Sequence, residues 1–289
     1  MNNKVGIYYA YWTRNWDADF VPFVAKVKKL GFDILEVNSG TVTNMSNPER
    51  DRLRLAAEKA GIELTYCIGL PPKYDIASPN ASVRKAGVAF LKKSALMLKY
   101  MGNKQLGGII YSSWPATVPE GDFDKRPYLS RSVKCMKEVM KTVEDCGVYF
   151  NLEVVNRFEQ FLLNTAVEGV EYCERVGSRH CRVLLDMFHM NIEEDSIYES
   201  IVATGKHLGH VHIGETNRRA PGRGHMPWSD LFRGIKKIGY QGAIVMEPFV
   251  MTGGQVGRNI SVFRDLRYGM DLDVEAKRAC RFVKRHLAR

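Results

Sequence analysis

Residues 148–189 read VYFNLEVVNRFEQFLLNTAVEGVEYCERVGSRHCRVLLDMFH, and the fold is decided here. The apolar run at 148–156 has the length and β-branched, aromatic content of a buried strand. A helical pattern follows at 164–177, opened by Asn164 and closed by Val176-Gly177, where glycine suits the left-handed exit of a helix. A second apolar run then begins at 181–189. Strand, helix, strand in this order is the building unit of a parallel sheet.

The same alternation extends in both directions. Strand-like runs fall at 4–12, 32–38, 62–69, 107–114, 148–156, 181–189, 208–216 and 242–248. Helical patterns follow them at 19–30, 48–60, 82–101, 128–146, 164–177, 195–206, 228–238 and 272–287. Asp17, Asn47, Asn164 and Ser229 are suitable helix-start residues, and Gly31, Gly61, Gly147, Gly177 and Gly239 suitable exits. Eight such units predict an α/β chain closed into a (β/α)8 TIM barrel. The competing doubly wound sheet calls for a glycine-rich GxGxxG turn after its first strand. The turn here reads YWTRNWDAD, and Gly253-Gly254-Gln255-Val256-Gly257 follows the eighth strand and reads as a flexible loop. No linker or repeat divides the chain, so residues 1–289 are expected to form one catalytic domain.

Composition narrows the function classes. With 45% hydrophobic residues in 289, the chain can bury a full core. No stretch is long and apolar enough to predict a membrane span, and MNNKVGIYYAYW lacks the features of a signal peptide, so a cytoplasmic location is expected. The six cysteines lack metal-knuckle spacing and are expected as buried free thiols. The net charge of +10 is dispersed over helix faces such as KVKKLG and RGIKKIG, so no nucleic-acid partner is expected.

Four strand ends carry the chemistry: NLEVVN around Glu153, VLLDMFH around Asp186, HVHIGE around His212 and VMEP around Glu247. Barrel active sites gather where strands end, so side chains from strands five to eight can converge on one ion. Three carboxylates and an imidazole favour Mn2+, with Co2+ or Mg2+ as alternatives, and the absence of thiolate ligands argues against a structural zinc.

At these residues the chain resembles the ketose 3-epimerase family, the D-psicose (D-allulose) and D-tagatose 3-epimerases of the xylose-isomerase-like barrel superfamily. The likeness runs from GIYYAYW through IIYSSWP, NLEVVNRFE, LLDMFHMNIEE, GHVHIGETNRR and GRGH to VMEPFV, nearly the whole chain. It implies a metal on Glu153, Asp186, His212 and Glu247. It further implies substrate contacts from Glu159, His189 and Arg218, a sugar pocket lined by Tyr8 and Trp114, and a homodimer or homotetramer. The implied substrate is a free ketohexose: D-fructose and D-psicose, with D-tagatose and D-sorbose as further substrates.

The residues suit that chemistry. Inverting C3 means removing the proton beside the C2 carbonyl and returning it to the other face, through a cis-enediolate that a divalent ion can stabilise. Glu153 and Glu247, two strands apart, can flank the sugar and alternate as acid and base. His210 reads as a hydrogen-bonded core residue, and His225 as a partner for a carboxylate behind the ligands. Glu36 is open between a pocket group and a paired core charge. Trp12, Trp16 and Trp114 can wall the sugar's carbon-bound faces. An apurinic endonuclease would need histidines on early strands, yet all seven lie at or beyond position 180. A phosphorylated sugar would need an anion nest that Tyr8, Cys67 and Trp114 do not make.

Overall fold

Eight short parallel strands pair in sequence order and close on themselves: β1 (Val5–Tyr8), β2 (Ile34–Asn38), β3 (Glu63–Cys67), β4 (Gln105–Gly108), β5 (Tyr149–Val154), β6 (Cys181–Asp186), β7 (Leu208–Ile213) and β8 (Ile244–Met246). The computed structural model describes residues 2–118 and 120–288. Pairing of β1 with β8, Ile7 opposite Met246, seals the ring. The strands are buried almost end to end, as expected when helices cover the outside and side chains fill the inside. The eight-unit reading is therefore the observed fold, a (β/α)8 barrel.

The long outer helices lie where periodicity places them. Asn47–Ala60, Ala81–Tyr100, Arg126–Cys146, Ala166–Val176 and Leu272–Leu287 each begin and end within two residues of the expected bounds. Their caps differ slightly. Ser46 and Thr165, one residue away from the expected Asn47 and Asn164, close capping boxes with Glu49 and Glu168. Gly177 leaves its helix at φ 77°, the left-handed geometry that sequence reading assigned to it.

The strands are shorter than their apolar runs. Tyr9–Tyr11 turns into a short 3-10 helix, and residues 109–114 leave the ladder, with Leu70 and Ser113 forming a bridge outside the strands. These segments stay apolar because they are buried against the barrel mouth, not because they are strands. Three short helices escape the periodic reading: Ser39–Asn44, Met187–Glu193 and Gly254–Asn259. The last replaces the expected flexible loop at 253–257. The second moves His189 off strand six and onto the first turn of a helix whose N-cap is Asp186, accepting from the Phe188 amide.

One irregularity sets the site. β7 slips by a residue against β6, so that Val183 pairs with Leu208 but Leu184 pairs with His210 and Asp186 with His212. Gly209 is the extra residue. A Cβ there would lie 2.0 Å from Asn151 Oδ1 and 2.8 Å from Arg182 Cβ, so only glycine lets the slip form. Beyond it, Asp186 and His212 stand side by side at the barrel mouth.

Candidate active site

The ends of β5, β6, β7 and β8 bring Glu153, Asp186, His212 and Glu247 together. One ligand-type atom from each lies within 4.8 Å of the other three, and all four residues are buried. His212 Nδ1 is 3.5 Å from Glu153 Oε1 and 3.7 Å from Glu247 Oε2, yet it has no hydrogen-bond partner. An orphaned imidazole nitrogen among carboxylate oxygens is the arrangement a cation completes. A second potential set, Glu36, Cys67 and His212, is already closed by a hydrogen bond of 2.7 Å between His212 Nε2 and Glu36.

Charge makes the same point. Burial works against ionising Asp186, but Arg218, followed by His189 and His212, holds its carboxyl below the usual range. Burial, with Glu153 beside it, pushes Glu247 up to about 8 despite His212 and Arg218. Burial also opposes a charge on His212, but Glu36 and Glu247 raise its imidazolium well above the ordinary value. Three clustered carboxylates thus face one guanidinium, and the cluster draws in positive charge. Oxygen donors with one imidazole fit a hard or borderline divalent ion such as Mn2+, Co2+ or Mg2+.

Arg218 is the fixed cation of the site. Its Nη1 donates to Asp186 Oδ2 at 2.6 Å and to Glu247 Oε2 at 3.3 Å, and its guanidinium lies 4.1 Å from the Phe188 ring centroid. The residue is 7% exposed and sits at φ 60°, a left-handed conformation that costs a non-glycine residue on the order of 1 kcal/mol. Backbone bonds hold it there: its N–H donates to Glu215 and its carbonyl accepts from Phe249.

His189 stands beside it. The backbone N–H of Asn156 donates to Nδ1 at 3.2 Å, and Arg218 Nη2 lies 3.3 Å from Nε2. That nitrogen lies 3.8 Å from both Glu153 Oε1 and Asp186 Oδ2. Glu159 accepts from Asn156 Nδ2 at 2.9 Å and from Trp114 Nε1 at 2.8 Å. Burial opposes its charge, but His189 and Arg218 keep its carboxyl below the usual range.

Above this floor is a cavity of about 230 Å³, lined by Tyr8, Trp114, Glu153, Glu159, His189, Arg218 and Glu247 among others. Asp186 and His212 do not line it, but cluster with Glu153 and Glu247, which do. Its far wall is apolar, with Trp16, Ile68, Ile109, Phe249 and Ile260. Trp16 and Trp114 meet edge to face at 6.3 Å. Trp12 does not take part, because it stacks on Phe23 and donates to Asp273. His225 is exposed beside Thr216 and backs no ligand.

Sequence reading missed Glu215, although it lies inside the HVHIGE run. Fully buried, it accepts from the backbone of Gly222, Arg223 and Met226 and from Trp228 Nε1, and so folds the GRGHMPW loop back toward Arg218. The nearby glycine of that loop was its only sequence trace: a Cβ on Gly224 would lie 2.3 Å from Glu215 Oε2.

Residues 24–278 match the model of the xylose-isomerase-like TIM barrel family. The chain is 45% identical over 284 residues to the D-psicose 3-epimerase of Ruminiclostridium cellulolyticum, with 97% of each chain covered. It is 42% identical to the D-psicose 3-epimerase of Agrobacterium fabrum, covering 97% of this chain and 98% of that one. Among solved structures, the D-psicose 3-epimerase of Clostridium cellulolyticum H10 with D-tagatose superposes with a TM-score of 0.95 at 44% identity, over 98% of this chain and 99% of that one. Among the described residues no helix is long and apolar enough to cross a membrane. The chain belongs to the xylose-isomerase-like TIM barrel family and, within it, to the ketose 3-epimerases.

Proposed function

We propose that this enzyme inverts C3 of free ketohexoses, the D-fructose and D-psicose pair foremost, with D-tagatose and D-sorbose as further substrates. Glu153, Asp186, His212 and Glu247 would hold a divalent ion, Mn2+ in the first instance, with Co2+ or Mg2+ as alternatives. The observation that carries this reading is the convergence of those four groups around an orphaned imidazole nitrogen, with Glu153 and Glu247 lining the cavity. A homodimer or homotetramer acting in the cytoplasm belongs to the same proposal and is supported by the family resemblance.

When bound, the ion supplies Lewis-acid stabilisation of negative charge developing on the sugar oxygens. The rest falls to side chains. Glu153 enters from β5 and Glu247 from β8, so one carboxylate stands on either side of the floor and each can take or return the C3 proton. Arg218 offers its guanidinium to the oxygens around the carbonyl, with His189 beside it. Trp114 holds Glu159 in place to accept from a sugar hydroxyl. The apolar wall excludes water from the reacting carbons.

A phosphorylated substrate fits less well. Arg218 is the only lysine or arginine lining the cavity, among the described residues, and two carboxylates already engage it. The decisive assay strips the protein of metal, restores Mn2+ and follows interconversion of the four ketoses, with solvent deuterium incorporation at C3. Glu153→Gln and Glu247→Gln are each expected to lower kcat by about 10²–10⁴-fold. Near-normal turnover in both removes the two-base scheme, and no conversion of any of the four sugars with Mn2+ present removes the substrate assignment.

A further inference from the structure

Below the site, three strands converge on one carboxylate. Glu36, on β2, is 0% exposed and does not line the cavity. Its Oε2 lies 2.7 Å from His212 Nε2, and its Oε1 lies 2.9 Å from His210 Nε2 and accepts from Thr65 Oγ1 at 2.7 Å. The two imidazole rings meet edge to face at 5.1 Å. Glu36 therefore has a partner on both oxygens, drawn from β3 and β7, and no room to turn.

We propose that Glu36, braced by Thr65, is a positioning residue that keeps a His212 proton on Nε2 and turns Nδ1 toward Glu153 and Glu247. The reasoning is one of donors and acceptors. An ionised carboxylate only accepts, so the His212 nitrogen facing Glu36 must donate. The opposite nitrogen then faces the cluster, and Nδ1 is among the buried atoms without a hydrogen-bond partner. A rotated ring, or the neutral tautomer with its one proton on Nδ1, would leave Glu36 Oε2 buried without its donor, which is costly. Thr65 matters because it holds the other oxygen: without it the carboxylate could swing and release the ring. The slip at Gly209 is part of the device, since it brings His210 and His212 inward on the same strand.

Carboxylates behind metal-bound imidazoles typically raise ion affinity by 10–100-fold. This inference rests on the proposed metal role of His212, and the test separates the two. In uniformly 15N-labelled, metal-stripped protein, long-range 1H–15N spectra report which His212 nitrogen bears a proton as Mg2+ is added. The expected result is an Nε2–H signal that persists throughout, with only Nδ1 responding to the ion. Glu36→Gln keeps the shape, but its amide can donate to Nε2 and so favour the other tautomer. It is expected to lose the persistent Nε2–H signal and to bind Mn2+ 10–100-fold more weakly by calorimetry. Glu36→Asp, which retains an acceptor-only carboxylate, should restore part of that affinity. An Nδ1–H tautomer in the wild type, or unchanged tautomer and affinity in Glu36→Gln, overturns the proposal. The wild-type spectrum decides even if both variants fail to fold. If the ion does not bind at all, the metal reading fails, while the Nε2–H signal still tests the role of Glu36.

Discussion

Arg218→Met is the substitution that most directly probes how the charge cluster is held. Methionine keeps the side chain long and apolar against Phe188, and it leaves the left-handed backbone strain unchanged because neither residue is glycine. What it removes is the cation 2.6 Å from Asp186 Oδ2, a carboxylate with no exposure. Deleting one partner of a buried ion pair costs about 3–5 kcal/mol, because the other charge stays buried and unpaired. With an unfolding entropy of roughly 2.1 cal/mol/K per residue, a chain of this length converts that to a fall in Tm of about 5–8 °C. The pH dependence has a definite sign. Although burial opposes it, Arg218 holds the Asp186 carboxyl below its usual range. Its contribution is thus complete above the unfolded value of about 3.9 and is lost as pH falls through the lower folded value. The deficit of Arg218→Met should therefore be full at pH 7 and shrink below about pH 4. Thermal unfolding of both proteins in chelator, across that range, measures it. Saturating Mn2+ should narrow the gap at pH 7 by supplying the missing positive charge. A variant within about 2 °C of wild type in chelator at pH 7, equivalent to roughly 1 kcal/mol, would refute the pairing argument.

Two further outcomes follow from other parts of the site. Because burial pushes Glu247 up to about 8, well above an unfolded value of about 4.3, its proton favours the metal-free fold and that contribution fades as pH rises toward 8. An ion requires the carboxylate, so metal uptake at pH 7 should release protons, with the share from Glu247 fading as pH rises past about 8. Calorimetry in buffers of different ionisation heat counts these protons, and uptake at pH 7 without release contradicts the assignment. Gly209→Ala should lower stability by about 1–3 kcal/mol and weaken metal binding, since its Cβ would collide with Asn151 and Arg182 at the slip that sets His210 and His212. Wild-type Tm and affinity in that variant would show that the slip is not what positions them.

The barrel was legible because its units are local. Helices such as Asn47–Ala60 and Leu272–Leu287 declare themselves by periodicity and by glycine or charged residues at their ends, with no knowledge of the partners they pack on. The strand ends were less so, because hydrophobicity measures burial and the loops at the barrel mouth are buried too. That is why 109–114 and Tyr9–Tyr11 read as strand, and why His189 was placed on a strand instead of a helix turn. The four clustered residues could be picked out because each interrupts an apolar run with a polar group, which in a packed interior demands a partner.

What the sequence withheld is everything that depends on two distant segments meeting. Glu36 and His212 are 176 residues apart, and each alone is compatible with an ordinary satisfied core group. Only closure of the ring, with β2 facing β7 across the interior, turns them into a hydrogen-bonded pair. The same holds for Arg218. Its charge is visible in TNRR, but its left-handed backbone depends on Glu215 gathering the amides of residues 222–226 and on Phe249 after β8 bonding its carbonyl. A polar residue in an apolar run shows that some partner exists, whereas which partner, and hence which tautomer or rotamer is fixed, is a property of the closed barrel. The groups that bear charge are therefore readable in one dimension, and the groups that aim them are not.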